Sequence, residues 1–320
     1  MTIIFSSTLG DDLERFVSQK RALGFPYDTS ERILSVFDRF CLEHYPNERQ
    51  LGIDLAMHWA QRRPGEHVNT LTRRITPVRQ FAKYLLSVGI EAYVIPAGIP
   101  SKGIRYVPHI YTKDELKLFF TALDQLRYDV NSPARQLVAP VIFRLLYCCG
   151  LRSSEVIGLK VEDVDLETGT LTILESKGHK DRIVMMSQDV LMLCRLYHRR
   201  VSAIWPGRTY FFPNHRGDRY SRGFLGYTFH RCWREADIGP ISGNSPRVHD
   251  FRHAFAVHRL NQWVTENKDL NAYLPYLSMY LGHEHLTETD YYLHLVLEFF
   301  PVLVSASEER FAHLIPEVNR

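Results

Sequence analysis

Cysteine is scarce and its spacing forms no pattern. The chain has five (Cys41, Cys148, Cys149, Cys194 and Cys232), an odd number with no CxxC pair. That argues against a disulfide framework or a structural zinc site and fits a reducing compartment. No apolar run reaches membrane-spanning length, and the opening MTIIFSSTLGDDLERF lacks a basic segment followed by a long apolar core. A cytoplasmic location is expected. Net charge is only +3, which by itself identifies no partner. Neither an internal repeat nor a low-complexity segment is present. What is there is a chain of 320 residues, 45% hydrophobic and 12% aromatic. That suffices for real cores and suits two domains of ordinary size.

The small net charge hides an uneven distribution. Residues 1–50 carry 6 Lys and Arg against 8 Asp and Glu, whereas residues 51–107 carry 8 against 3. A local basic segment fits a polyanion-binding face, although a solvated helix surface has the same composition. Within residues 8–90, four stretches space apolar residues by three and four: LERFVSQKRAL, ERILSVFDRFCLEHY, IDLAMHWAQRR and TLTRRITPVRQFAKYLLSVG. They predict a four-helix domain over residues 1–94. The last stretch carries Arg73, Arg74, Arg79 and Lys83, candidate contacts to such a polyanion. Residues 95–107 hold two prolines and two glycines, and Pro108 follows directly. They read as an extended linker, with Lys102 and Arg105 as further phosphate contacts.

A second domain is expected over 108–320. Thr112 and Glu115 form a capping-box signature, and DELKLFFTALDQL and ARQLVAPVIFRLLYCCG follow with helical spacing. TLTIL and RIVMM are then β-branched runs joined by SKGHKD, a hairpin with Lys177, His179 and Lys180 on its turn. Helical patterns resume from 188 to the end, with a tail from about 296. The whole is mainly α with a small antiparallel β-sheet.

The C-terminal half gathers unusual chemistry. In HDFRH, His249 and His253 share a helical face at a spacing that can hold a metal. Asp250 stands where a zinc peptidase has its glutamate, however, and a guanidinium beside a dication is electrostatically unfavourable. Together with Arg152, Lys177 and His283, this stretch suits a phosphodiester instead. Two arginines clamp the non-bridging oxygens, an imidazole accepts a proton, a lysine protonates the leaving alkoxide, and a tyrosine serves as nucleophile. Tyr291 and Tyr292 are the candidate nucleophiles, about 100° apart on a helix, so that one of them points inward. Two arginines supply the positive charge, so neither metal nor other cofactor is required.

Four pieces in order, CCGLRSSEVIGL, ESKGHKDRIVMMS, HDFRHAFAVHRL and LGHEHLTETDYYLHL, resemble the tyrosine recombinase (phage integrase) family over roughly residues 108–300. The resemblance implies an N-terminal core-binding domain and a C-terminal α+β catalytic domain. It implies catalytic roles for Arg152, Lys177, His249, Arg252, His283 and Tyr292, with Glu155 as the acidic neighbour that holds the arginines. Lys180 is the alternative to Lys177 as general acid. Tyr292 is favoured over Tyr291 by its nine-residue offset from His283. His253 is assigned to packing beneath the site. The 31-residue step from Arg252 to His283 is longer than in compact members and suggests a subgroup, one carried on a transposon or other mobile element.

The implied activity is site-specific DNA recombination through a 3′-phosphotyrosyl intermediate without ATP. The implied partners are double-stranded DNA, a homo-tetramer on two sites, monomers or dimers when free, and accessory proteins. Two alternatives share the architecture: a type IB topoisomerase-like nicking-closing enzyme and a non-catalytic DNA-binding relative.

Overall fold

The computed structural model describes residues 3–101, 103, 106–130, 132–174, 181–239 and 245–296. The chain divides into two units, Met1–Tyr106 and Val107–Arg320.

In the first unit the expected helices appear as α1 (Gly10–Ala22), α2 (Asp28–His44), α3 (Ile53–Ala60) and α4 (Val68–Ser87). Their three-and-four spacing puts Leu13, Phe16, Leu34, Phe37, Leu55, Trp59, Ile75, Val78 and Phe81 into one core. The expected linker begins later than its proline content suggests. Ile95 is buried in this same core, and the Arg79 guanidinium donates to the carbonyls of Ile95, Pro96 and Ile99.

The second unit opens with α5 (Lys113–Asp124), whose Thr112–Glu115 capping box is formed as expected. α6 (Arg135–Cys148) and the short α7 (Ser153–Gly158) follow. A three-stranded antiparallel sheet comes next, β1 (Val164–Asp165), β2 (Thr170–Ile173) and β3 (Arg182–Met185), in the order β1-β2-β3. Leu171 pairs with Val184 and Ile173 with Arg182. The turn carrying Lys177, His179 and Lys180 lies outside the described residues, as do Lys102, Arg105 and the tail beyond residue 296.

Helix resumes at α8 (Gln188–Ile204), but not continuously to the end. Trp205-Pro206-Gly207 stops it, and residues 205–221 form an irregular segment with bridges from Tyr210 to Lys160 and from Pro213 to Arg219. Proline and glycine there override the helical spacing. α9 (Arg222–Glu235), α10 (Asp250–Thr265), α11 (Leu270–Leu281) and α12 (Thr287–Leu293) complete the fold. The central core gathers Phe119, Phe143, Phe229 and Phe251, and a second cluster joins α10, α11 and α12 through Leu260, Leu277, Leu281 and Tyr292. Among the described residues, no helix is long and apolar enough to cross a membrane.

Candidate active site

The site is organised by the end of one helix. α11 terminates at Gly282, whose φ of +67° is left-handed and suits glycine. The backbone amides of Gly282 and His283 satisfy the carbonyls of Met279 and Ser278. The next three carbonyls are taken by three guanidinium groups. Arg182 donates to Tyr280 O (2.9 Å), Arg252 to Leu281 O, and Arg152 to Gly282 O (2.8 Å). A helix C-terminus carries partial negative charge and exposes unsatisfied carbonyls, so it holds cations together that would otherwise repel.

Each arginine arrives from a different element. Arg152 caps the start of α7, where the Glu155 carboxylate accepts its backbone amide (2.8 Å) and its guanidinium (2.8 Å). Arg182 opens β3 and grips both oxygens of that same carboxylate, at 2.8 and 2.7 Å. Burial alone would raise the Glu155 pKa; the Arg182 and Arg152 contacts outweigh it and lower it to about 2. The acidic neighbour expected to hold Arg152 and Arg252 contacts Arg152 and, in place of Arg252, Arg182.

Arg252, in the first turn of α10, is only 2% exposed. It donates to Leu281 O and, at 2.8 Å, to Gly150 O. Gly150 has φ +59°, and a Cβ there would lie 2.7 Å from the Phe255 ring, so the close packing of this turn requires glycine. Among the described residues, no carboxylate lies within ion-pairing distance of Arg252. Burial, and then repulsion from Arg152, lowers its pKa from 12.5 to about 10.

The imidazoles are held neutral. Desolvation, followed by the charges of Arg252, Arg152 and Arg247, brings His249 down to about 4, although the residue as a whole remains exposed. His283 falls to about 3 through burial and then through Arg252 and Arg152. Its Nδ1 lies 2.7 Å from the hydroxyl of the fully buried Thr289. His249 and His253 stand with ring centroids 4.9 Å apart. Among the described residues, no group of three or more His, Cys, Asp or Glu is placed to hold a metal ion.

Of the two tyrosines, Tyr292 points inward and is 3% exposed, while Tyr291 is only half-buried. The Tyr292 ring lies parallel to that of His283 at 6.1 Å, and its hydroxyl is 3.0 Å from His253 Nδ1. Burial raises the phenol pKa, and Arg252 and Arg152 oppose the rise.

The structure therefore brings Arg152, Glu155, His249, Arg252, His283 and Tyr292 together, with Lys177 outside the described residues. Sequence reasoning passed over Arg182 and Thr289 and gave His253 to packing alone. Arg182 had a legible signal: it shares strand parity with the buried Val184, and an arginine on the inward face of a strand needs a partner.

The basic stretch on α4 needs correction. Arg74, expected to face a polyanion, is instead engaged within its own unit. It is 8% exposed, it donates to both Glu66 oxygens at 3.0 Å, and it bonds the carbonyls of Trp59 and Gln61. Arg79 is half-buried on the chain segment after α4, as described above. Arg73 and Lys83 are exposed. Adjacent helical residues point about 100° apart, which separates Arg73 from Arg74.

Residues 110–298 match the phage integrase family. The chain is 31% identical over 293 residues to a Sinorhizobium fredii protein assigned as the integrase/recombinase y4rB, covering 90% of this chain and 93% of that one. It is 30% identical over 236 residues to tyrosine recombinase XerD of Pseudomonas aeruginosa, covering 72% of each. Among solved structures, the fold is similar to that of XerH site-specific recombinase bound to its palindromic difH substrate after cleavage. The TM-score is 0.67 at 20% identity, over 92% of this chain and 84% of that one. With its matched region spanning the four ordered pieces and the arginine cluster they build, the chain belongs to the phage integrase family, the tyrosine recombinases.

Proposed function

We propose that this tyrosine recombinase cuts and rejoins double-stranded DNA at specific sites, with Tyr292 as the nucleophile. The phenol oxygen attacks a phosphodiester and forms a 3′-phosphotyrosyl bond, and the 5′ oxygen leaves with a proton. The 5′-hydroxyl of a partner strand reverses the step, so the phosphate bond energy is retained without ATP. Lys177 is the assigned proton donor to the leaving oxygen. Arg152 and Arg252 bind the non-bridging oxygens, where charge grows in the transition state. Neutral His249 accepts or shares the phenol proton. The Thr289 hydroxyl, donating to His283 Nδ1, leaves the other ring nitrogen of His283 to donate to the phosphate.

One observation carries this reading: Arg252 is a buried cation without a carboxylate partner among the described residues. Such a charge is costly to leave unmatched, and a phosphate dianion-like transition state supplies the missing counter-charge. The proposed assembly is a homo-tetramer bridging two DNA sites in the cytoplasm, passing through a four-way junction. Arg73 and Lys83 are the proposed phosphate contacts of the N-terminal unit.

The test uses nicked duplexes tiling the DNA that flanks the gene, with EDTA present, resolved on denaturing gels. A covalent protein–DNA adduct is expected with the parent chain and with Tyr291→Phe, and none with Tyr292→Phe. An adduct lost only with Tyr291→Phe would move the nucleophile by one residue.

A further inference from the structure

An imidazole outside the assigned catalytic set touches the reacting oxygen itself. His253 follows Arg252 on α10, and its Nδ1 lies 3.0 Å from the Tyr292 hydroxyl. Its ring stands edge-on to His249 (87°) and 5.6 Å from the Tyr292 ring, while His283 lies parallel to that ring. The phenol is thus gripped between an imidazole from α10 and one from the turn before α12. With Tyr292 at 3% exposure, water has little access to compete for its hydroxyl.

We propose that His253 is a positioning residue for Tyr292: its Nδ1 accepts the hydroxyl hydrogen bond and so fixes the direction in which the phenol oxygen presents its lone pairs. This deepens the recombinase reading and rests on it. A phenol O–H rotates readily, and attack on phosphorus needs one lone pair aimed at the phosphate. Fixing that orientation before DNA arrives lowers the barrier without new charge. An acceptor must be a neutral imidazole. Burial, and then the proximity of His249, Arg252 and Arg247, hold His253 down to about 3, so it stays neutral across the physiological range. So weak a base does not remove a phenol proton by itself; it orients it.

The parent chain is compared with His253→Leu, His253→Asn and Tyr292→Phe on the same tiled nicked duplexes, in single turnover, with binding measured separately. Leucine removes the acceptor and is expected to slow adduct formation about 10-fold at unchanged DNA affinity. Asparagine places an amide oxygen near the position of Nδ1 and is expected to restore the rate to within about threefold of the parent. A leucine variant as fast as the parent overturns the proposal. So does an asparagine variant as slow as leucine, since ring bulk would then be the requirement. If the parent forms no adduct, the recombinase reading itself falls and takes this proposal with it; if Tyr292→Phe still forms one, the nucleophile is another residue and this proposal alone falls. A readout without DNA guards against misfolding: 3-fluorotyrosine at position 292 of the full chain. Its fluorine resonance is expected to move in His253→Leu and to return in His253→Asn, and coincident resonances in all three overturn the proposal.

Discussion

Two buried arginines, one in each unit, solve the same electrostatic problem differently. Arg74 in the helical unit is ion-paired through Nε and Nη2 with both oxygens of Glu66, and the pair is closed by carbonyls of Trp59 and Gln61. Arg252 in the second unit rests on two neutral carbonyls, Gly150 O and Leu281 O. The first arrangement is complete and acts as a structural clasp between α4 and the segment after α3. The second leaves net positive charge in a low-dielectric site, where it acts strongly on an incoming phosphate. Burial of an arginine alone therefore does not mark function; the state of its counter-charge does.

The largest effect should come from Arg252→Gln. Cleavage of a nicked duplex is expected to fall by about 1000-fold, with DNA affinity nearly retained. Because a buried charge without a carboxylate partner among the described residues is removed, the thermal midpoint should stay within about 4 °C of the parent. A collapse of stability instead would erase the contrast with Arg74. Arg74→Met should show the reverse. It strands the buried Glu66 carboxylate and is expected to cost about 3 kcal/mol in denaturant unfolding, with the rate of adduct formation on bound DNA unchanged.

Arg182→Gln tests a guanidinium that lies between these extremes, paired to a carboxylate yet part of the site. It frees one side of Glu155, and about a 100-fold loss of cleavage is expected, less than for Arg252 because Arg152 retains its own contacts. Glu155 also sets a pH dependence. Its folded pKa of about 2 lies below its ordinary 4.5, so the stability it contributes is complete above about pH 4.5. That contribution is lost as pH falls from there toward 2. In acid unfolding, Glu155→Gln should flatten this window. The smallest effect belongs to the exposed charges of α4. Arg73→Ala with Lys83→Ala should weaken DNA binding by a few-fold and reduce the slope of log affinity against log salt by about 2. An unchanged slope would remove α4 from the DNA interface.

The helices of the first unit were legible because a helix buries one stripe, and apolar residues three and four apart declare it. The hairpin was legible from TLTIL and RIVMM, and the residues that gather at the candidate site from four short ordered pieces. The irregular stretch 205–221 was not, because isolated bridges such as Lys160–Tyr210 are non-local pairings with no periodic trace. Arg74 was misassigned because its partner Glu66 lies eight residues away, across a helix start, and neighbouring charges on a helix look alike in one dimension.

The order and identity of the reacting groups are local properties of the chain: residue types, caps, and the nine-residue offset that selects Tyr292. The company those groups keep is not local. Three arginines from α7, β3 and α10 meet on the last carbonyls of α11, and His253 meets Tyr292 across 39 residues. Only tertiary packing decides which charge is neutralised, which imidazole stays neutral and which hydroxyl is held. Coulombic and desolvation energies depend on distance and burial in space, and separation along the chain encodes neither.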